Sequence, residues 1–164
     1  MILHITEADF TNPLHAEAIP FLINAYASDP MGGGGELPKE VLDGMVEGLS
    51  SHPSCFVVLA FDGERPVGIA NCFVGFSTFA ARPLVNVHDL AVIPEYRGRR
   101  VGERLLEEVE KKANDLGCCK LTLEVREDNR ARHLYQRFGF GDFTTNGEQV
   151  QTFFLEKKLA RGEK

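Results

Sequence analysis

Residues 87–102 read Val-His-Asp-Leu-Ala-Val-Ile-Pro-Glu-Tyr-Arg-Gly-Arg-Arg-Val-Gly, which parses as a strand, a tight loop and the start of a helix. Gly98 and Gly102 let a ligand come close to backbone. The free N–H groups of the helix's first turn point into the loop, and the helix dipole adds positive potential there. Arg97, Arg99 and Arg100 add guanidinium forks that match phosphate oxygens. Such an arrangement suits a diphosphate. It is neither a Walker loop, which needs Gly-Lys-Ser/Thr, nor a GxGxxG turn. Taken alone, the segment is equally consistent with a basic loop that merely caps a helix.

Residues 95–102, Glu-Tyr-Arg-Gly-Arg-Arg-Val-Gly, lead into Glu-Arg-Leu-Leu and resemble the acetyl-CoA loop of GNAT N-acetyltransferases, Arg/Gln-x-x-Gly-x-Gly/Ala. Arg97 matches the first position and Gly102 the last. Arg100 replaces the middle glycine, where a helical first-turn conformation is expected of it. Residues 127–140, Glu-Asp-Asn-Arg-Ala-Arg-His-Leu-Tyr-Gln-Arg-Phe-Gly-Phe, resemble a second signature of the same family, Asn-x-x-Ala-x-x-Leu-Tyr-x-x-x-Gly-Phe. Ala131, Leu134 and Tyr135 fall in register. Asp128 occupies the asparagine position and Asn129 follows it, so either can take that role.

The resemblance spans roughly residues 55–155 and implies an α/β fold, the GNAT acyl-CoA N-acyltransferase fold. Its sheet is mixed and strongly twisted, with about seven strands flanked by about four helices, and its fourth and fifth strands splay apart. Pantetheine then bonds to main chain at Leu90, Ala91 and Val92. The diphosphate rests on Arg97, Gly98, Arg99, Arg100, Val101 and Gly102, and Asn129 and Tyr135 complete the donor site. The implied co-substrate is acetyl-CoA, without a metal. The implied reaction moves acetyl to a primary amine of a small molecule or protein by direct attack in a ternary complex. A non-catalytic acyl-CoA-binding or sensory module on the same scaffold is the alternative. Some similarity over residues 89–102 to polyamine and diamine acetyltransferases favours a small amine.

N-acetylation needs a neutral amine beside the thioester, a stabilised oxyanion and a proton for the leaving thiolate. Tyr135 matches the family's general acid, and a phenol stays protonated at neutral pH. Ala131, Leu134, Tyr135 and Phe138 also share a helical face, so the competing role of Tyr135 is that of an amphipathic core residue, and the two motifs together favour the acid. His88 is the candidate base, because imidazole exchanges protons near neutrality; polyamine-acetylating relatives carry glutamate there. Strand alternation sets it on the opposite face from Asp89. Its competing role is that of a hydrogen-bonded sheet histidine, and Glu124 is the next candidate. His4, His15, His52 and His133 read as peripheral. Asp29, Glu36 and Glu40 are candidates to attract the amine, and Tyr26, Phe76 and Phe79 to wall its site.

The elements that must position these groups follow from periodicity. A short strand at 2–5 precedes helices over 12–27 and 38–49, separated by Asp-Pro-Met-Gly-Gly-Gly-Gly-Glu at 29–36, whose glycines predict a mobile loop. Strands follow at 55–61, 67–76 and 84–92, the first two joined at the Asp62-Gly63 turn. Val101, Leu105, Leu106, Val109, Ala113 and Leu116 form a helical stripe. Glu107 with Lys111 and Glu108 with Lys112 form i,i+4 pairs, and Gly117 ends that helix. A half-buried strand at 119–125, a helix at 130–138 and strands at 140–144 and 150–156 complete one domain over residues 1–164.

Composition sets the outer bounds. A net charge of −6 argues against a nucleic-acid binder, which presents a basic face. Cys55, Cys72, Cys118 and Cys119 lack CxxC or metal-ligand spacing. The N-terminal MILHITEADF shows no basic-then-apolar pattern, and no apolar stretch is long enough to span a bilayer. No membrane partner and a cytoplasmic location are therefore expected. A homodimer is compatible with family habit.

Overall fold

The most apolar run of the chain becomes an inner strand of a sheet. Phe56 to Phe61 are all buried within β2 (Cys55–Asp62), which lies between β1 (Leu3–Glu7) and β3 (Arg65–Ser77). β4 (Arg82–Val92) and β5 (Leu121–Thr122) extend the sheet in the order β1-β2-β3-β4-β5. Neighbours are antiparallel except β4 and β5, which run parallel. Gly63, at φ +62, makes the β2–β3 turn. This computed structural model describes residues 1–141, 144–145, 148–149 and 152–159. They form two compact units, Met1–Val125 and Arg126–Lys164.

In the first unit, α1 (Pro13–Ser28) starts where Asn12 accepts the Leu14 N–H at 3.0 Å. α2 (Lys39–Ser51) follows Pro38. The stripe Val101, Leu105, Leu106, Val109 and Ala113 is buried along α3 (Val101–Asp115). α3 lies so close to β3 that a Cβ on Gly68 would sit 3.1 Å from Leu105 Cδ1 and 3.1 Å from Val101 Cγ1. The expected i,i+4 pairs do not form on its outer face. Lys111 pairs with Glu108, Lys112 with Glu7 of β1, and Arg104 with Glu107. Exposed helix pairs contribute only a few tenths of a kcal/mol, so any nearby carboxylate competes.

The second unit holds α4 (Ala131–Phe138), ended by Gly139 at φ +103, and a two-stranded ladder of β6 (Thr144–Thr145) and β7 (Glu148–Gln149). The main sheet therefore has five strands among the described residues, where about seven are expected. Residues 152–156 form no strand, and 142, 143, 150 and 151 lie outside the described residues. The pairing that the described residues show in this stretch is local, Thr145 with Glu148, and a local pairing closes at less entropic cost than a distant one. No helix among the described residues is long and apolar enough to cross a membrane.

Candidate functional site

β4 and β5 are laddered only at Val85–Leu121 and Asn86–Thr122, so residues 119–125 yield a far shorter strand than their alternation suggests. Beyond Asn86, no described strand pairs with that side of β4. The backbone facing this edge follows from one bond. The Ile93 N–H donates to the Val67 carbonyl at 3.0 Å, so alternation turns the N–H and C=O of Val92 and Leu90 away from β3. Ala91 between them pairs with Ile69. An edge of this kind is a template for an extended, amide-bearing ligand.

The loop after β4 is braced from several sides. Pro94–Tyr96 form one 3-10 turn. The Tyr96 hydroxyl donates to Asp62 Oδ2 at 2.9 Å, and the guanidinium carbons of Arg65 and Arg99 lie 5.3 Å from its ring centre. Donation to Asp62 raises the Tyr96 phenol pKa. Arg97 Nε donates to the Val92 carbonyl at 3.0 Å. Gly98 and Arg100 are left-handed, at φ +74 and +63, which corrects the expected right-handed first-turn conformation of Arg100. The chain enters α3 by a reversed twist at that residue, a conformation glycine adopts without a Cβ penalty. No side chain caps α3, so the N–H groups of its first turn, Val101 and Gly102 among them, point toward the loop as donors for an anion.

His88 occupies a β-bulge. Asn71 pairs with Asp89 and Cys72 with Val87, leaving His88 as the extra residue of β4. The bulge cancels the alternation expected to separate His88 from Asp89. Asp89 Oδ2 accepts from Asn71 Nδ2 at 3.1 Å, and the exposed His88 ring stands edge-on to Phe73 at 5.5 Å. Asn71 and Phe73 are two apart on β3, hence on one face. That face is opposite Gly68 and α3. His52 meets the same Phe73 ring at 5.0 Å, so a histidine read as peripheral shares an aromatic neighbour with the candidate base. Glu124 receives the Asn86 amide at 3.3 Å. Phe76 and Phe79 are exposed near the β3–β4 tip, Phe76 pairing with Pro83, nine residues before Val92.

In the second unit Tyr135 is buried on α4, its ring edge-on to Phe140 at 5.9 Å. Asn129 Oδ1 accepts the Ala131 N–H at 2.9 Å, an Asx turn leading into α4. Asp128 is instead paired with Arg126 at 2.8 Å, and that pairing lowers its carboxyl pKa. The two candidates for the motif asparagine are thereby separated, with Asn129 the one joined to the helix start.

The model of the Acetyltransferase (GNAT) family matches residues 19–140. The chain belongs to this family. It is 34% identical over 107 residues to a thialysine N-epsilon-acetyltransferase of Bos taurus, covering 62% of each protein. It is also 34% identical over 127 residues to the corresponding Sus scrofa protein, covering 73% of this chain and 72% of that one. An uncharacterized N-acetyltransferase, YhfO, of Bacillus subtilis is 31% identical over 97 residues, 58% of this chain and 64% of the relative. The chain thus spans less than two thirds of the bovine and Bacillus relatives. Among solved structures, a probable acetyltransferase aligns with TM-score 0.78 at 18% identity, over 94% of this chain and 99% of that one. An aminoglycoside N-acetyltransferase in complex with CoA aligns with TM-score 0.73 at 17% identity, over 96% of each.

Sequence motifs drew attention to the loop after β4 but missed what braces it. Tyr96 lay inside a quoted motif, yet its bond to Asp62 joins residues 34 apart, a separation that no local pattern reveals. Gly68 had a signal, a glycine inside a strand pattern, which marks close backbone approach.

Proposed function

We propose that this protein is an acetyl-CoA-dependent N-acetyltransferase acting on a primary amine. One observation carries the reading: the uncapped, arginine-flanked start of α3 follows directly on the ladder-free edge of β4. The residues fit CoA. Leu90 and Val92 offer main-chain groups in strand register to the pantetheine amides, with Ala91 between them. Arg97, Gly98, Arg99, Arg100, Val101 and Gly102 offer backbone N–H groups and guanidinium charge to the diphosphate.

Bound acetyl-CoA supplies a thioester carbonyl as electrophile and a thiolate as leaving group. In this proposal His88 takes the ammonium proton, directly or through water, and Asp89, fixed by Asn71, adds negative potential on the same face. Glu124 is the alternative base. Tyr135 gives a proton to the departing thiolate, while Asn129 orders the start of its helix. Direct attack in a ternary complex is the simplest sequence. The acceptor class rests on relatives named for thialysine and aminoglycoside acetylation; both are primary amines on small molecules.

The test is thiol release from acetyl-CoA over a panel of diamines, amino acids, aminoglycosides and peptides. At least one amine is expected to raise release well above hydrolysis. CoA binding by calorimetry without acceleration by any amine would leave a binding module. Absence of CoA binding would remove the donor site altogether.

A further inference from the structure

The glycine-rich stretch after α1 is a built turn rather than the loose loop its composition suggests. The Asp29 carbonyl accepts the N–H groups of Gly32, Gly33 and Gly34 at 2.8, 3.1 and 3.0 Å, and Gly35 N–H reaches the Ala27 carbonyl at 3.1 Å. Asp29 Oδ1 accepts the Met31 N–H at 2.9 Å. A Cβ on Gly32 would overlap the Tyr26 carbonyl oxygen, so the turn has no room for another residue there. All of this leaves Asp29 Oδ2 directed away from the turn, where it accepts from Arg97 Nη2 at 2.7 Å. The Asp29 side chain is 15% exposed. The Met31 N–H first, and Arg97 second, hold its carboxyl below the usual range. Its negative charge is matched by Arg97, which removes Asp29 from the groups available to attract an amine.

We infer that Asp29 is a positioning residue for the donor site, locking Arg97 by its Nε–Nη2 edge so that Nη1 faces the diphosphate. The inference rests on the proposed CoA-binding role of residues 97–102. Arg97 is held at two points, the Val92 carbonyl through Nε and Asp29 through Nη2. A guanidinium is planar, so fixing one edge orients the other. A free arginine would lose its rotamer freedom on meeting phosphate, whereas a locked one has lost it already. An opposing effect exists, because Asp29 also brings negative charge near the diphosphate. Salt decides between them. Repulsion across exposed space fades beyond a Debye length of about 8 Å at physiological ionic strength and about 3 Å at 1 M, while preorganisation does not depend on screening.

Asp29→Asn keeps the amide oxygen for the Met31 N–H and removes the charged grip on Arg97. CoA affinity is measured by calorimetry for the parent, Asp29→Asn, Arg97→Ala and the double variant, at low salt and at about 0.5 M. The expected result is a loss on the order of 5- to 10-fold for Asp29→Asn, the scale of one released arginine, persisting at high salt. No further loss is expected when Arg97 is already absent. Unchanged or tighter CoA binding in Asp29→Asn overturns the inference, as does an equal loss in the Arg97→Ala background, the sign of a merely structural role. A parent that binds no CoA overturns the donor-site reading itself, a distinct outcome. Should Asp29→Asn not fold, Arg97→Lys makes the test from the exposed side. Lysine keeps the charge but not the two-point edge, so a similar loss is expected, and parent-like affinity refutes the lock.

Discussion

At Arg100 a side chain is held at φ +63 and ψ +14, a left-handed conformation that costs an L-residue about 1–2 kcal/mol against a right-handed one. Its compensation is a pairing with Glu103 at 2.8 Å, with the arginine side chain 75% exposed, where such pairs contribute little. Arg100→Gly is therefore expected to stabilise the protein by roughly 0.5–1 kcal/mol, after allowing for glycine's larger unfolded-state entropy. The melting temperature should rise by about 2–3 °C; a fall would mean the Glu103 pair outweighs the strain. The sequence showed which residue departs from the family's glycine but not the twist at that residue. Backbone sign at one position depends on the path of the chain into α3, and no residue type encodes that. His88 makes a second case. Its identity as a candidate base was readable, but its face was not, because one bulge residue reverses the count. In the proposed mechanism, His88→Ala should lower kcat by about 10²-fold while CoA affinity holds. Parent-like turnover would move the base to Glu124 or to water.

Close packing between elements decides where the loop before α3 stands. α3 rests on β3 at Gly68, where an added Cβ would also lie 3.2 Å from the Ala91 carbonyl oxygen. Val101, touched by the same Cβ, is the first residue of α3. Gly68→Val should therefore cost about 1–3 kcal/mol by overpacking and also weaken CoA binding by tilting the start of α3. Gly75→Ala is the control on the same strand, since its Cβ would meet Leu84 Cδ1 only at 3.4 Å. Its CoA affinity should match that of the parent. A folded Gly68→Val protein with parent-like CoA affinity would separate helix placement from the donor site. The order of elements was legible through residue 138, because long periodic runs such as 55–61 and 101–116 carry their own signal. The length of β5 was not. Residues 119–125 alternate well, yet only Leu121 and Thr122 find a ladder partner, and pairing depends on the distant course of β4.

Across the whole chain, the titration of partnered groups sets a stability dome in pH. Asp9, Asp29, Asp62, Glu95 and Asp128 are all held below their ordinary values, by the Thr11 hydroxyl, the Met31 N–H, the Ile2 N–H, the Glu95 backbone N–H and Arg126 respectively. Such groups contribute stability above their unfolded values, near 4, and lose it as pH falls through the native ones. The alkaline side has the opposite origin. Burial, with the neighbouring Cys55 and Asp89 adding to it, pushes the Cys72 thiol far above its ordinary value, and Cys55 shifts the same way by burial. An unfolded thiol ionises near pH 8.5 while the native one keeps its proton. Stability is therefore full below that pH and falls above it, at about 1.4 kcal/mol per pH unit for the buried Cys72 and by less for the partly exposed Cys55. Urea unfolding under reducing conditions from about pH 3 to 10.5 should thus give a plateau between roughly 5 and 8.5. Cys72→Ala lowers the plateau by removing core volume, so slopes rather than heights are compared. The alkaline slope should lose the share of one thiol, with the remainder from the other groups held above their ordinary values, Cys55, Cys118 and Tyr96. An unchanged slope would mean that Cys72 ionises in the folded protein as readily as in the unfolded chain, and that the sheet beneath His88 and Asp89 admits water.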